Sequence, residues 1–200
     1  MDACCDVREV PAHQRRILTA VLAVNAVMFV VELGAAVTAH STSLFADGID
    51  MLGDTLVYAL SLWVIGRGPV WQARAAFAKG AAMGALGAGV ALEAVSKLVL
   101  GVVPTANVIG GVGALALAAN ALCLVLLWRR RDDDVNMRSA WLCSRNDVAA
   151  NVGVLVAAAG VAATDSAWPD IAIGLAIAAL FARSALGVVR AACRALSASG

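Results

Sequence analysis

Charge is what this sequence has least of: Asp, Glu, Lys and Arg together make up 14% of its 200 residues, against 62% hydrophobic residues. A water-soluble domain carries nearer a quarter charged residues. The scarcity, with a mean hydropathy of +0.84, excludes such a domain and points to a membrane protein. A formal net charge of +1 and the lack of any basic stripe interleaved with aromatics exclude nucleic acid as a partner. The five cysteines lack the spacing of a secreted disulfide framework, and Cys4 and Cys5 are neighbours, which rarely bridge each other. The opening stretch MDACCDVREVPAHQRR has no apolar centre followed by a small-residue cleavage site, so it does not read as a signal peptide. The alternation of a membrane barrel is missing too, and lipid offers no partner to an open strand edge. The fold class is therefore all-α.

What the sequence does have is six long apolar runs. A helix needs about 20 such residues to cross a hydrocarbon core of about 30 Å. The runs fall at 17–39, 44–65, 75–100, 108–128, 139–163 and 169–189. They predict a cytoplasmic tail at 1–16, a six-helix transmembrane domain at 17–190 and a short cytoplasmic tail at 191–200. Arg8, Arg15, Arg16, Arg67, Arg74, Lys79, Arg129, Arg130, Arg131, Arg138, Arg190 and Arg194 all fall on alternate connections, whereas the other connections hold Lys97 alone. By the positive-inside rule the basic loops and both termini face the cytoplasm. A multi-pass protein of the cell's inner membrane is the expectation, with no soluble catalytic domain and no enzyme activity.

Against this background the stretch FADGIDMLGD is out of place. Asp47, Asp50 and Asp54 stand at i, i+3 and i+7 of the second apolar run, on one helical face. In the fifth run Cys143, Asp147 and Asn151 are spaced by four. Ionisable groups inside a membrane helix are costly unless paired, hydrated or metal-bound, so each is a functional candidate. At about 1.5 Å of rise per residue, Asp54 and Asp147 both lie near the membrane midplane. Antiparallel packing of the two helices would set Asp50 level with Asp147 and Asp54 level with Cys143. Three carboxylates and a thiol cannot gather in low dielectric as bare anions. Either protons or a divalent metal must neutralise them, and the two compete for the same atoms. Four ligands of oxygen and sulfur suit tetrahedral zinc, and the sulfur tilts preference toward zinc, cadmium or another thiophilic ion.

These residues resemble those of the cation diffusion facilitators, whose members export zinc and related divalent metals in exchange for protons. STSLFADGIDMLGDTL is similar to the family's second-helix signature, with Asp50 and Asp54 at the ligand pair. DVAANVGV is similar to the fifth-helix signature, with Asp147 at its aspartate and Asn151 at the small polar residue that follows. The resemblance runs from about Arg15 to Arg194. It implies a metal site of Asp50, Asp54, Cys143 and Asp147, with Cys143 where the family usually has histidine. RRRDDD stands where a histidine-rich loop is common, and a short form without the family's cytoplasmic C-terminal domain is expected.

Other residues carry subsidiary expectations. Asp47, Asn25, Glu32 and Asn151 are accessory candidates: Asp47 for a proton path, an exit or helix packing, Asn25 and Glu32 for a hydrated cavity or an interhelical hydrogen bond. Cys4 and Cys5 are candidates for capturing a soft metal. Cys123 and Cys193 read as packing residues, Glu93 and Lys97 as a local ion pair, His40 as a solvated loop residue. Arg145 either snorkels or pairs with an acid. Trp63, Trp128 and Trp168 read as interfacial anchors. Glycine spacing at Gly80, Gly84, Gly87 and Gly110 permits close helix approach, within the chain or in a homodimer. Rival functions are a metal importer or sensor built on the same site, and an intramembrane aspartyl protease, for which the LGD at 52–54 is suggestive but the G-x-G-D signature is missing.

Overall fold

The computed structural model describes residues 12–64, 69–132 and 135–197, which places Cys4, Cys5 and Arg67 outside the described residues. Six helices follow one another: α1 (Ala12–Ala39), α2 (Thr42–Val64), α3 (Pro69–Leu100), α4 (Ala106–Trp128), α5 (Val135–Thr164) and α6 (Trp168–Ser197). No strand occurs among the described residues. Five of them contain stretches long and apolar enough to cross a membrane: Arg15–Ala39, Gly80–Leu100, Ala106–Trp128, Ala140–Thr164 and Trp168–Gly187. The sixth, α2, has 23 residues, and its apolar run is broken by Asp47, Asp50 and Asp54. Several helices outrun their apolar stretches, because the charged residues that end a hydrophobic window are good helix formers and the backbone continues through them.

The three connections at one end show why the helices stop where they do. After α1, His40 takes a left-handed conformation (φ 53°), and the Ser41 N–H donates back to the Ala36 carbonyl at 3.0 Å. That bond closes the helix as a Schellman motif, with a histidine where glycine is usual. After α3, Gly101 (φ 65°) makes the reversal and Pro104 prevents the helix from resuming. After α5 the turn passes through Asp165 (φ 47°), whose N–H bonds to the Val161 carbonyl at 2.9 Å. The Thr105 N–H donates to the Ala39 carbonyl at 3.0 Å, which brings the end of α1 to the start of α4.

The same end holds the start of α2, the start of α6 and the end of α5, so α2 and α5 are antiparallel. α1, α2, α5 and α4 form a closed ring of neighbours, while α3 and α6 form a close pair lying against α2, with α6 also against α5. Glycine sets the tightest of these contacts. A Cβ on Gly174 would stand 2.8 Å from the backbone of Thr42, and one on Gly80 would stand 2.6 Å from Val189 Cγ2 and 3.2 Å from the Ala185 carbonyl. Only a bare α-carbon allows α6 this close to α2 and α3. The small-residue spacing noted at Gly80 thus serves internal packing, whereas Gly84 has open space around it. The apolar core is built from Leu44, Ile49, Met83, Val90, Ile109, Val154, Ile177 and Phe181, and Glu93 and Lys97 form their expected ion pair on α3. Cys123 packs in a second cluster with Leu127 and Met137, but Cys193 is exposed, so the packing role expected of it is not found. Cys193 lies on the last turns of α6, past the apolar stretch that ends at Gly187.

Candidate metal centre

Glu32 on α1 is fully enclosed, as are Asp47 on α2 and Asn151 on α5, and Asp147 on α5 is 5% exposed. Asp50, Asp54 and Cys143 are partly buried. The carboxylates of Asp47, Asp50, Asp54 and Glu32 all lie within electrostatic reach of Asp147. Acidic groups from three helices thus gather in one region inside the ring, termed the chamber, where like charges oppose one another unless cations intervene.

One hydrogen bond fixes the register of the two principal helices. Asn151 Nδ2 donates to Asp47 Oδ2 at 2.5 Å. In an antiparallel pair, matching 47 with 151 sets 51 opposite 147 and 55 opposite 143. Asp50 is then one residue from level with Asp147, and Asp54 one residue from level with Cys143, as the two stripes in the sequence suggest. Among the described residues, however, no three Asp, Glu, His or Cys side chains are closed into a geometry that would hold a metal ion. The predicted ligands share a chamber rather than a coordination shell.

A residue that the sequence reading missed extends the network. Asn120 on α4 is fully buried; its Nδ2 donates to Asn151 Oδ1 at 2.9 Å and approaches Met51 Sδ at 3.9 Å. The only sequence signal was a lone amide in the apolar run ALALAANALCLVLLW. The chain Asn120, Asn151, Asp47 has a direction, each donor pointing toward the carboxylate. Several oxygens around it are left over. Among the described residues, both carboxylate oxygens of Glu32, Asp47 Oδ1, Asn25 Oδ1 and Asn120 Oδ1 are buried with no hydrogen-bond partner. All five are acceptors. A buried acceptor without a donor is costly, and a set made only of acceptors calls for protons, water or a cation.

The chamber is sealed toward the end where α2 begins. There Asp170, from the first turn of α6, accepts from Ser41 Oγ at 2.7 Å, Thr42 N at 2.6 Å, Ser43 N at 3.1 Å and Ser43 Oγ at 2.6 Å. The carboxylate caps the N-terminus of α2, where free N–H groups and the helix dipole favour a negative charge. Asp170, Ser41, Thr42 and Ser43 are all completely buried. Toward the arginine-rich end enclosure loosens: Asp47 is fully buried, whereas Asp50 and Asp54 are partly exposed.

Acidic groups held in the middle of an all-helical membrane bundle, with acceptor oxygens to spare, define a protein that passes cations rather than one that only spans a bilayer. The chain belongs to the cation efflux family: the family's description, "Cation efflux transmembrane domain", matches residues 18–197. It is accordingly a membrane transporter of cations. No curated protein matches the chain.

Proposed function

We propose that the protein exports a thiophilic divalent cation, zinc or cadmium, in exchange for protons, using Asp50, Asp54, Cys143 and Asp147 as the ligands of the cargo. The observation that carries this reading is the chamber itself, where carboxylates from α1, α2 and α5 meet and acceptor oxygens lack donors among the described residues. A divalent ion entering it would draw α2 and α5 together until their side chains close on it. Protons arriving from the opposite side would neutralise the same groups and release it. Glu32, Asp47 and Asn25 would hold protons or water while the ion passes, and Asn151 would orient Asp47. The sealed end at Asp170 and the looser enclosure toward the arginines suit a conformation open to the cytoplasm, one of two that alternating access requires.

Reconstitution in liposomes tests this. Zinc and cadmium flux under an imposed pH gradient should depend on the gradient and be lost in Asp54→Ala and Asp147→Ala, because each removes a ligand for which metal and protons compete. Flux that ignores the gradient would remove the proton from the cycle, and net uptake into the cytoplasmic side under physiological gradients would make the protein an importer. Metal affinity should fall as pH falls, because each proton bound by a ligand displaces part of the metal's hold. Cys143→His should shift preference from cadmium toward zinc; an unchanged preference would take the sulfur out of the shell.

A further inference from the structure

At the arginine-rich end, α4 and α5 meet through an aromatic pair. Trp128 and Trp141 pack edge to face with centroids 5.7 Å apart. The Arg131 guanidinium lies 4.1 Å from the centroid of Trp128 and 5.9 Å from that of Trp141, and the Arg145 guanidinium lies 5.5 Å from Trp141 on its own helix. Two cations, Arg131 in the turn after α4 and Arg145 on α5, thus share the Trp141 ring, and Arg131 also lies over Trp128.

The position of Arg145 decides what those cations meet. It lies five residues inside the apolar stretch Ala140–Thr164, about 8 Å along the helix from its start. It is exposed, and the residues seven and eleven positions further along that face, Val152 and Val156, are 47% and 59% exposed. That face looks onto lipid, away from the chamber where Asp147 is buried. Among the described residues Arg145 forms no ion pair, while Arg131 Nε stands 3.4 Å from the exposed Asp132 and its Nη1 donates to the Trp128 carbonyl at 3.1 Å. A cation at that depth on a lipid face draws an anion to itself, and the bilayer's own source is the headgroup layer just above it.

We propose that Arg131 and Arg145, held against the Trp128–Trp141 pair, form a binding site for the phosphodiester of an anionic phospholipid in the cytoplasmic leaflet. The two guanidinium groups attract the phosphate, and the acyl chains run down the face of α5 past Val152 and Val156. The proposal stands apart from the transport reading, since none of these residues faces the chamber.

Tryptophan quenching by brominated lipids tests it. The protein is placed in phosphatidylcholine vesicles that contain a minor fraction of either brominated phosphatidylglycerol or brominated phosphatidylcholine. Brominated phosphatidylglycerol should quench as though enriched about fivefold for each arginine engaged, the size expected of one basic residue at an anionic surface. The excess should vanish in R131Q/R145Q, fall in R145Q and survive in R145K, with circular dichroism reporting the helical fold of each. R183Q, which removes another exposed arginine of the membrane domain, should leave it unchanged. Equal quenching by the two lipids overturns the proposal, as does an excess that persists in helical R145Q and R131Q/R145Q or disappears equally in R183Q. Loss of the excess when millimolar inorganic phosphate is added would assign the site to free phosphate instead.

Discussion

The protein buries carboxylates in two places and treats them in opposite ways. At the sealed end, the two oxygens of Asp170 accept four hydrogen bonds from Ser41, Thr42 and Ser43. In the chamber, Glu32 has no hydrogen bond to either oxygen among the described residues and Asp47 has one to Asn151. A fully satisfied buried acid holds structure together, because every donor around it would be orphaned by its loss. An unsatisfied one is a stability cost that the fold tolerates for another reason, and in the proposed transport cycle the passing cation and protons supply it. The contrast separates structure from function without reference to depth, charge or helix.

Four substitutions sharpen or break the contrast. The largest effect should come from Asp170→Ala, which takes away the acceptor of the Thr42 and Ser43 N–H groups and of at least one of the two serine hydroxyls, which also lie 3.3 Å apart, and should destabilise by about 3–5 kcal/mol; unfolding followed by circular dichroism in mixed micelles would measure it, and a shift under about 1 kcal/mol would show that the clamp is dispensable. Gly174→Ala should destabilise by about 1–3 kcal/mol, since its methyl meets the backbone of Thr42 and cannot be relieved by a rotamer change. In Glu32→Gln the expected sign reverses: stability unchanged or raised by up to about 1 kcal/mol, with flux reduced, because an uncharged amide is easier to bury but cannot trade protons. Loss of stability there instead would mean that Glu32 has a structural partner after all. Smallest is Gly84→Ala, where nothing lies within 4 Å of the new methyl and helix propensity alone should stabilise by about 0.5–1 kcal/mol.

The helices and the α2–α5 register were legible in the sequence because both depend on spacing within one helix: apolar length for the first, the Asp47, Asp50, Asp54 and Cys143, Asp147, Asn151 stripes for the second. Asp170 was not. It reads as an ordinary polar residue in the connection TDSAWPD, and its role arises only when α6 docks against a segment about 130 positions earlier in the chain. Asn120 was hidden for a similar reason, since an isolated amide in a membrane helix names no partner. Arg145 was left between an acid and the interface; it is exposed, lies over Trp141 and makes no ion pair among the described residues. The roles of Cys4 and Cys5 lie outside the described residues.

The clamp at Asp170 also constrains motion. It ties the first turn of α6, and through α6 the companion α3, to the first turn of α2, which belongs to the ring around the chamber. If the pair swings against the ring, the fastened ends travel least and the opposite ends, near the arginines, sweep the widest arc. The buried aspartate is then the pin of the hinge for as long as its bonds last, and the stroke that opens the sealed end has to pull it out.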